Sequence, residues 1–277
     1  AVFGSAAACA DDDGGAILDV DPGELLDANV PPVTATNGYR PGPGVTWQWQ
    51  LDGAINTAYS VELYDVDLFE TPDAVFAQLH ARGARVLCYF SAGSAERGRP
   101  DYSAIPAAAL GRTLEGYPDE RWLDIRRRDV LEVMKARLDL AVRRGCDGVE
   151  PDNVTAYHND TGFSISGTHQ LAFNRHLANA AHERRLAIAL KNDGEQAAQL
   201  VDYFDLALNE ECHDYDECDM LRVFTERGKP VLNAEYAASL SAAQARATTL
   251  CPRARASGLR TLILPRDLDD AFRVSCF

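Results

Sequence analysis

The stretch GCDGVEPDN, residues 145–153, sets Glu150 and Asp152 at i and i+2 around a proline, directly after an apolar run, and NEE at 209–211 puts two more acids at the end of another. Two carboxylates facing each other from separate elements can break a glycosidic bond: one protonates the leaving oxygen while the other attacks the sugar or activates water. Glu150 and Asp152 cannot form that pair alone, because i and i+2 on a strand share one face, roughly 6.5 Å apart. They supply one half and a helper. The other half comes from Glu210 or Glu211, which point to opposite sides if the strand continues through them. Two other chemistries compete. Lys191 would form a Schiff base if its pKa were depressed, although the surrounding acids push it the other way. Asp65, Asp67, Glu150, Asp152 and Glu210 would suit a divalent cation. The histidines are scattered, and the chain has no GxSxG elbow, phosphate loop or zinc spacing. Neither a metal nor a cofactor is expected.

These residues need elements to aim them. Eight short apolar runs recur: VTWQW, VELYDVD, RVLCYF, CDGVEP, LAIALK, FDLALN, PVLNAE and RTLILP. Helical patterns separate most of them, such as TPDAVFAQLHARG and RRDVLEVMKARLDLAVRRG, the second closed by Gly145. Alternating strands and helices, with strands apolar throughout, predict a single-domain α/β fold over 45–277, a closed parallel (β/α)8 TIM barrel. An open doubly wound sheet is the alternative, since no helix is evident between the first two strands. In a barrel the site lies at the C-terminal strand ends. Those ends carry Trp49, Asp65, Tyr89, Glu150, Asp152, Asn153, Lys191, Asn192, Glu210, Glu235 and Arg266. Aromatic faces for sugar rings together with acids, amides and bases for hydroxyl and amino groups make up a carbohydrate site.

With 27 basic and 42 acidic residues the net charge is -15, which repels nucleic acid and attracts cations. No run reaches the roughly 18 apolar residues of a membrane span. Residues 1–44 read as an arm or linker after an export signal, with Cys9 a candidate lipid tether, so a secreted or cell-envelope protein is expected. Seven cysteines agree. Cys212 and Cys218 flank a short polar loop and Cys251 and Cys276 bracket the last strand, predicting two disulfides, whereas Cys88 and Cys146 lie in apolar strands and read as buried thiols.

The segments WQWQLDG, VELYDVDLFET, RVLCYFSAGSAERGRPD, LGRTLEGYPDERWLDIR, GCDGVEPDNVTAY, FDLALNEECHDYDEC and KPVLNAEY together resemble one family, the endo-α-1,4-polygalactosaminidases. The likeness runs from about Trp47 to Cys276. It implies a (β/α)8 barrel that cuts inside α-1,4-linked galactosamine polymers, with the aspartate of PDN and the glutamate of NE as the catalytic pair, here Asp152 and Glu210. Asp65, Tyr89, Asp124, Glu150, Lys191, Asn192, Glu235 and Arg266 would contact substrate around them, although Asp124 in RWLDIR would equally serve as a structural clamp. This chain departs from the family pattern at Thr155, where another acid is common, and at Glu211, where glutamine is common. A cationic amino-sugar polysaccharide is the expected partner, drawn in by the acidic charge. A sugar-binding protein that keeps the cleft without turnover is the other class of function.

Overall fold

A computed structural model describes residues 25–34 and 37–277; Cys9 and the acidic run after it lie outside the described residues. All eight apolar runs form parallel strands. In chain order these are β1 (Trp47–Trp49), β2 (Leu63–Asp67) and β3 (Arg85–Ser91), then, after an insertion carrying β4 (Ser94–Glu96), β5 (Leu110–Leu114) and β6 (Tyr117–Leu123), the strands β7 (Gly148–Asp152), β8 (Ala187–Lys191), β9 (Leu206–Glu210), β10 (Val231–Tyr236) and β11 (Arg260–Leu264). A short β12 (Val274–Ser275) follows. The helices are α1 (Asp73–Ala81), α2 (Arg128–Arg144), α3 (Gly167–Glu183), α4 (Ala197–Leu200), α5 (Arg222–Glu226) and α6 (Leu240–Ala256).

The expected closed (β/α)8 barrel does not form. The sheet is curled but open, with nine strands in the order β1-β2-β3-β7-β8-β9-β10-β11-β12 and six helices among the described residues. The reason lies at the seam. The edge of β11 that would meet β1 is occupied by antiparallel β12, through Leu262↔Ser275 and Ile263↔Val274. β1 itself has only three residues. Side chains bridge the remaining gap: the Trp47 indole donates to Arg260 O at 2.7 Å, Arg260 Nε donates to Val45 O at 2.7 Å, and Arg273 donates to Trp47 O at 2.8 Å. α4 and α5 shrink to four and five residues, so they cover their strands less than full helices would.

Alternation along the strands sorts the core into two layers. Trp47, Trp49, Leu63, Leu87, Ala189, Leu206, Leu208, Leu232, Ala234, Leu262 and Leu264 pack together on the concave side. Val66, Val86, Phe90, Val149, Ile188 and Leu190 pack with the helices on the convex side. Gly148 must be glycine within this inner layer, because a Cβ there would lie 2.6 Å from Leu87 and 2.8 Å from the Ala187 carbonyl oxygen. Residues 28–33 run along α3, where Val33 N donates to Asn179 Oδ1 at 2.8 Å, and the Tyr203 hydroxyl, beyond α4, donates to Val30 O at 2.5 Å.

The disulfides Cys212–Cys218 and Cys251–Cys276 form as expected. Cys88 and Cys146, expected to be free thiols, form a third. Cys88 points to the convex side of β3, and Cys146 enters β7 next to it, which brings their Cα atoms to 6.0 Å. Closing a loop of 58 residues restricts the unfolded chain far more than closing one of 6. On chain entropy alone the Cys88–Cys146 bridge is worth about 4 kcal/mol and Cys212–Cys218 about 2 kcal/mol. Urea unfolding of Cys88→Ala/Cys146→Ala and Cys212→Ala/Cys218→Ala variants should therefore show the larger loss in the first.

Candidate active site

β7, β8 and β9 are each followed by a residue that turns the chain sharply. Asn153, Asn192 and Glu211 adopt φ values of 58°, 54° and 57°. Asparagine accepts this left-handed backbone readily, whereas glutamate does so at a cost of about 1 kcal/mol. The turn ends each strand and leaves the last inward side chains of three adjacent strands at one mouth. These are Asp152, Lys191 and Glu210. Gly93 permits the approach of the neighbouring loop: a Cβ there would sit 1.8 Å from Asn153 O, and the amides of Ala92 and Gly93 donate to Asp152 O.

Lys191 is the hub. Its ammonium lies 3.0 Å from Glu150 Oε1, 3.2 Å from Asp152 Oδ2 and 3.4 Å from Glu210 Oε2, on a floor made by the rings of Trp49 and Tyr89 at 5.0 and 6.0 Å. Only 2% of the side chain is exposed. Burial alone would strip its proton, but Asp152, Glu150 and Glu210 overcome that and hold its pKa well above the ordinary value. A neutral amine for Schiff-base chemistry is thus disfavoured. The same ammonium occupies the centre of the acidic group considered for a divalent cation, and Asp67 pairs instead with Arg99 at 2.6 Å.

The acids differ by environment. Burial would raise Glu210, yet Lys191 and the hydrogen bonds from Tyr236 and Asn192 outweigh it and hold the carboxyl below its usual range. Asn192 donates to Glu210 Oε2 at 2.9 Å and accepts from the Glu210 amide at 2.8 Å, and the Tyr236 hydroxyl donates to Oε1. Asp152 receives its own neighbour's amide, Asn153 N, at 2.7 Å and faces the Tyr89 hydroxyl at 3.4 Å. Beneath them Glu150 and Asp65 are fully buried. Burial pushes Glu150 up to about 7 even against Lys191, and burial together with the neighbouring Glu150 pushes Asp65 well above the ordinary aspartate value.

This has a measurable sign. Between the ordinary value of 4.5 and about 7 the folded chain holds a proton at Glu150 that the unfolded chain has released, so stability falls as pH rises through that window. Urea midpoints measured from pH 4.5 to 7.5 should fall accordingly, and Glu150→Gln should flatten the slope.

Other expected contacts lie elsewhere. Asp124 is buried and clamps Arg126 at 2.7 and 2.9 Å, outside the cleft. Glu235 faces the convex side, bound to Arg246 and to the His213 amide at 3.0 Å. Its neighbour Tyr236 was not among the expected site residues, although alternation from Leu232 and Ala234 puts it on the concave face. Arg266 sits at the rim, 2.8 Å from Glu211 and 4.7 Å from the Tyr236 ring. Asn153 donates to Ser91 Oγ at 2.8 Å, and Ser91 and Ser94 lead to Glu120 on β6. The insertion was missed as well: Tyr117 and Glu120 wall a cavity of about 250 Å³ over Asp152, Lys191 and Glu210. Cys212, His213 and Cys218 bring ligand atoms within 4.8 Å of one another, but the two sulfurs are bonded to each other and offer no thiolate.

Comparison with known proteins fits this geometry. Ega3 of Aspergillus fumigatus, crystallised with galactosamine, is 37% identical over 88% of this chain and 99% of its own, with a TM-score of 0.83. The glycoside hydrolase domain of PelA from Pseudomonas aeruginosa shares the fold at 14% identity, over 83% of this chain and 98% of that domain, with a TM-score of 0.67. Among curated proteins none matches. The model of glycoside-hydrolase family GH114 matches residues 28–277, so the chain belongs to that family and is a glycoside hydrolase.

Proposed function

We propose that the protein cleaves within α-1,4-linked galactosamine polymers, with Asp152 and Glu210 as the carboxylate pair. The observation that carries this reading is the shared ammonium: Lys191 holds both acids on one mouth of the sheet, 3.2 and 3.4 Å from a single Nζ. An open cleft between the insertion and the loops after β7, β8 and β9 suits an internal stretch of a polymer. The chain's -15 charge favours a cationic, deacetylated one. Incubation with α-1,4-galactosaminogalactan should yield shortened oligomers early, while chitosan stays intact; an unchanged galactosaminogalactan would refute the assignment.

The facing oxygens can be no further apart than the two legs to that nitrogen combined. That limit takes in the separation of about 5 to 5.5 Å used for retention and excludes all but the shortest of the roughly 6.5 to 9.5 Å that admits a water for inversion. Proton NMR of the first products should show the α anomer. Three disulfides also support export to an oxidising compartment.

A further inference from the structure

The insertion after β3 reaches Asp152 through a line of hydrogen bonds. Asn153 donates from Nδ2 to Ser91 Oγ at 2.8 Å, with a longer approach of 3.4 Å to Ser94 Oγ. Ser91 Oγ also accepts from the Ser94 amide at 3.1 Å. A hydroxyl oxygen has two lone pairs, and these two donors fill them, so Ser91 must give its own hydrogen to another acceptor. That acceptor is Ser94 Oγ, 2.6 Å away. Ser94 in turn places its hydrogen on Glu120 Oε2 at 2.7 Å. The direction of the line is therefore fixed, from Asn153 to Glu120. Ser91 and Ser94 are fully buried, so each hydroxyl depends on a protein acceptor.

Both ends of the line are anchored. Ser91 is the register partner of Asp152, and its carbonyl accepts from Arg137 at 2.6 Å, a buried guanidinium that Asp101 holds in turn. Ser94 and Glu120 belong to the antiparallel pair of β4 and β6, in which Ser94 lies opposite Trp122 and Glu96 opposite Glu120. Glu96 is taken by Arg99 at 2.6 Å, whereas Glu120 has no ion pair among the described residues. Its carboxylate serves Ser94 and the cavity over Asp152, Lys191 and Glu210. At the other end Asn153 sits in left-handed backbone and donates its amide to Asp152 Oδ1 at 2.7 Å. We propose that Glu120 is a positioning residue for the cleavage: as the last acceptor of the line it fixes Asn153, and through the Asn153 amide it fixes the Asp152 carboxylate. The inference rests on the reading of Asp152 as one of the reacting pair. It gives the insertion a part in the reaction beyond walling the cavity, since one carboxylate on β6 both borders the substrate space and orients an acid on β7.

The test compares Glu120→Gln, which still offers Ser94 an oxygen, with Glu120→Leu, which fills the same space and offers none. Two quantities are measured: steady-state cleavage of α-1,4-galactosaminogalactan, and hydrogen exchange at the Asn153 amide by NMR. Glu120→Leu should lower kcat about tenfold with KM unchanged, and the Asn153 amide should exchange about tenfold faster. Glu120→Gln should recover most of both. Ser94→Ala should reproduce Glu120→Leu, and the double variant should be no worse than either single one, because both cut the same line. If either of these two variants fails to fold, the other is set against Glu120→Gln in its place. Glutamine as damaging as leucine, a change confined to KM, or losses that multiply in the double variant would overturn the positioning role. A parent protein that leaves the polymer uncut overturns the polymer reading instead, and exchange at Asn153 still decides whether Glu120 holds it.

Discussion

Asp152→Asn and Glu210→Gln should each lower kcat on the galactosamine polymer by about a thousandfold or more. Both amides keep the shape of the acid, and both positions sit at the open end of the sheet, so neither change should disturb the core. Circular dichroism and a melting curve close to the parent's would establish that the loss lies in chemistry. The two variants should not behave alike in detail. Glu210 accepts from Asn192 and Tyr236 and pairs with Lys191, so in Glu210→Gln the new side-chain NH2 would have to face at least one of those donors. Asp152 also meets three donors, but those on Oδ2, Lys191 at 3.2 Å and the Tyr89 hydroxyl at 3.4 Å, are looser, so it should accept the replacement with less strain. Turnover near the parent's rate in either variant removes that carboxylate from the reaction.

Lys191→Met should be damaging in two separable ways. The first is activity, expected to fall by about a hundredfold or more, because the ammonium that sets the spacing of Asp152 and Glu210 and keeps Glu210 ionised is gone. The second is stability. Glu150 is fully buried and loses its counter-charge, and breaking a buried pair from one side costs about 3 to 5 kcal/mol. The cost should depend on pH. Without Lys191 the carboxyl of Glu150 rises above its present value of about 7, so at pH 5 it stays protonated and neutral. At pH 8 and above it must either ionise unpaired or bind a proton against the solvent, and the variant's unfolding midpoint should drop away from the parent's. A variant equally stable relative to parent at pH 5 and pH 8 would contradict the pairing. Since Lys191 is held as an ammonium, borohydride added during turnover should neither trap an adduct nor slow the reaction.

How far the chain could be read in advance follows from where each signal lives. The eight parallel strands were legible because each is a continuous apolar run, and the acids and lysine stood out because they end such runs. Closure of the sheet was not legible, since it is decided by Val274 and Ser275, two residues with no pattern of their own, taking the edge of β11. Asp124 and Glu235 show the limit of reading strand ends by type alone. Both are acids in the right neighbourhood, and both are consumed by an arginine, Arg126 and Arg246, that only the fold brings near. Tyr236 was within reach of period-two alternation, which separates it from Glu235. The Cys88–Cys146 bridge was hidden because two cysteines in apolar strands look the same bonded or free, and only strand adjacency distinguishes them.

The side-chain seam between β1 and β11 gives the cleft a mechanical property. Every other neighbouring pair of parallel strands is held by a backbone ladder, whereas here backbone bonds cross only beyond the strand ends, from Leu51 and Asp52 to Leu268 O, and the contacts along the strands run through the Trp47 indole and the guanidinium groups of Arg260 and Arg273. Such links can lengthen and shorten by rotamer changes without breaking a strand pair. β1 also carries Trp49, the ring beneath Lys191. Strain applied by a passing polymer would therefore be absorbed at this joint first, and the aromatic floor would travel with it while β7, β8 and β9, which carry Asp152, Lys191 and Glu210, stay rigid. Amide exchange should be fastest along β1 and slowest in β7 to β9.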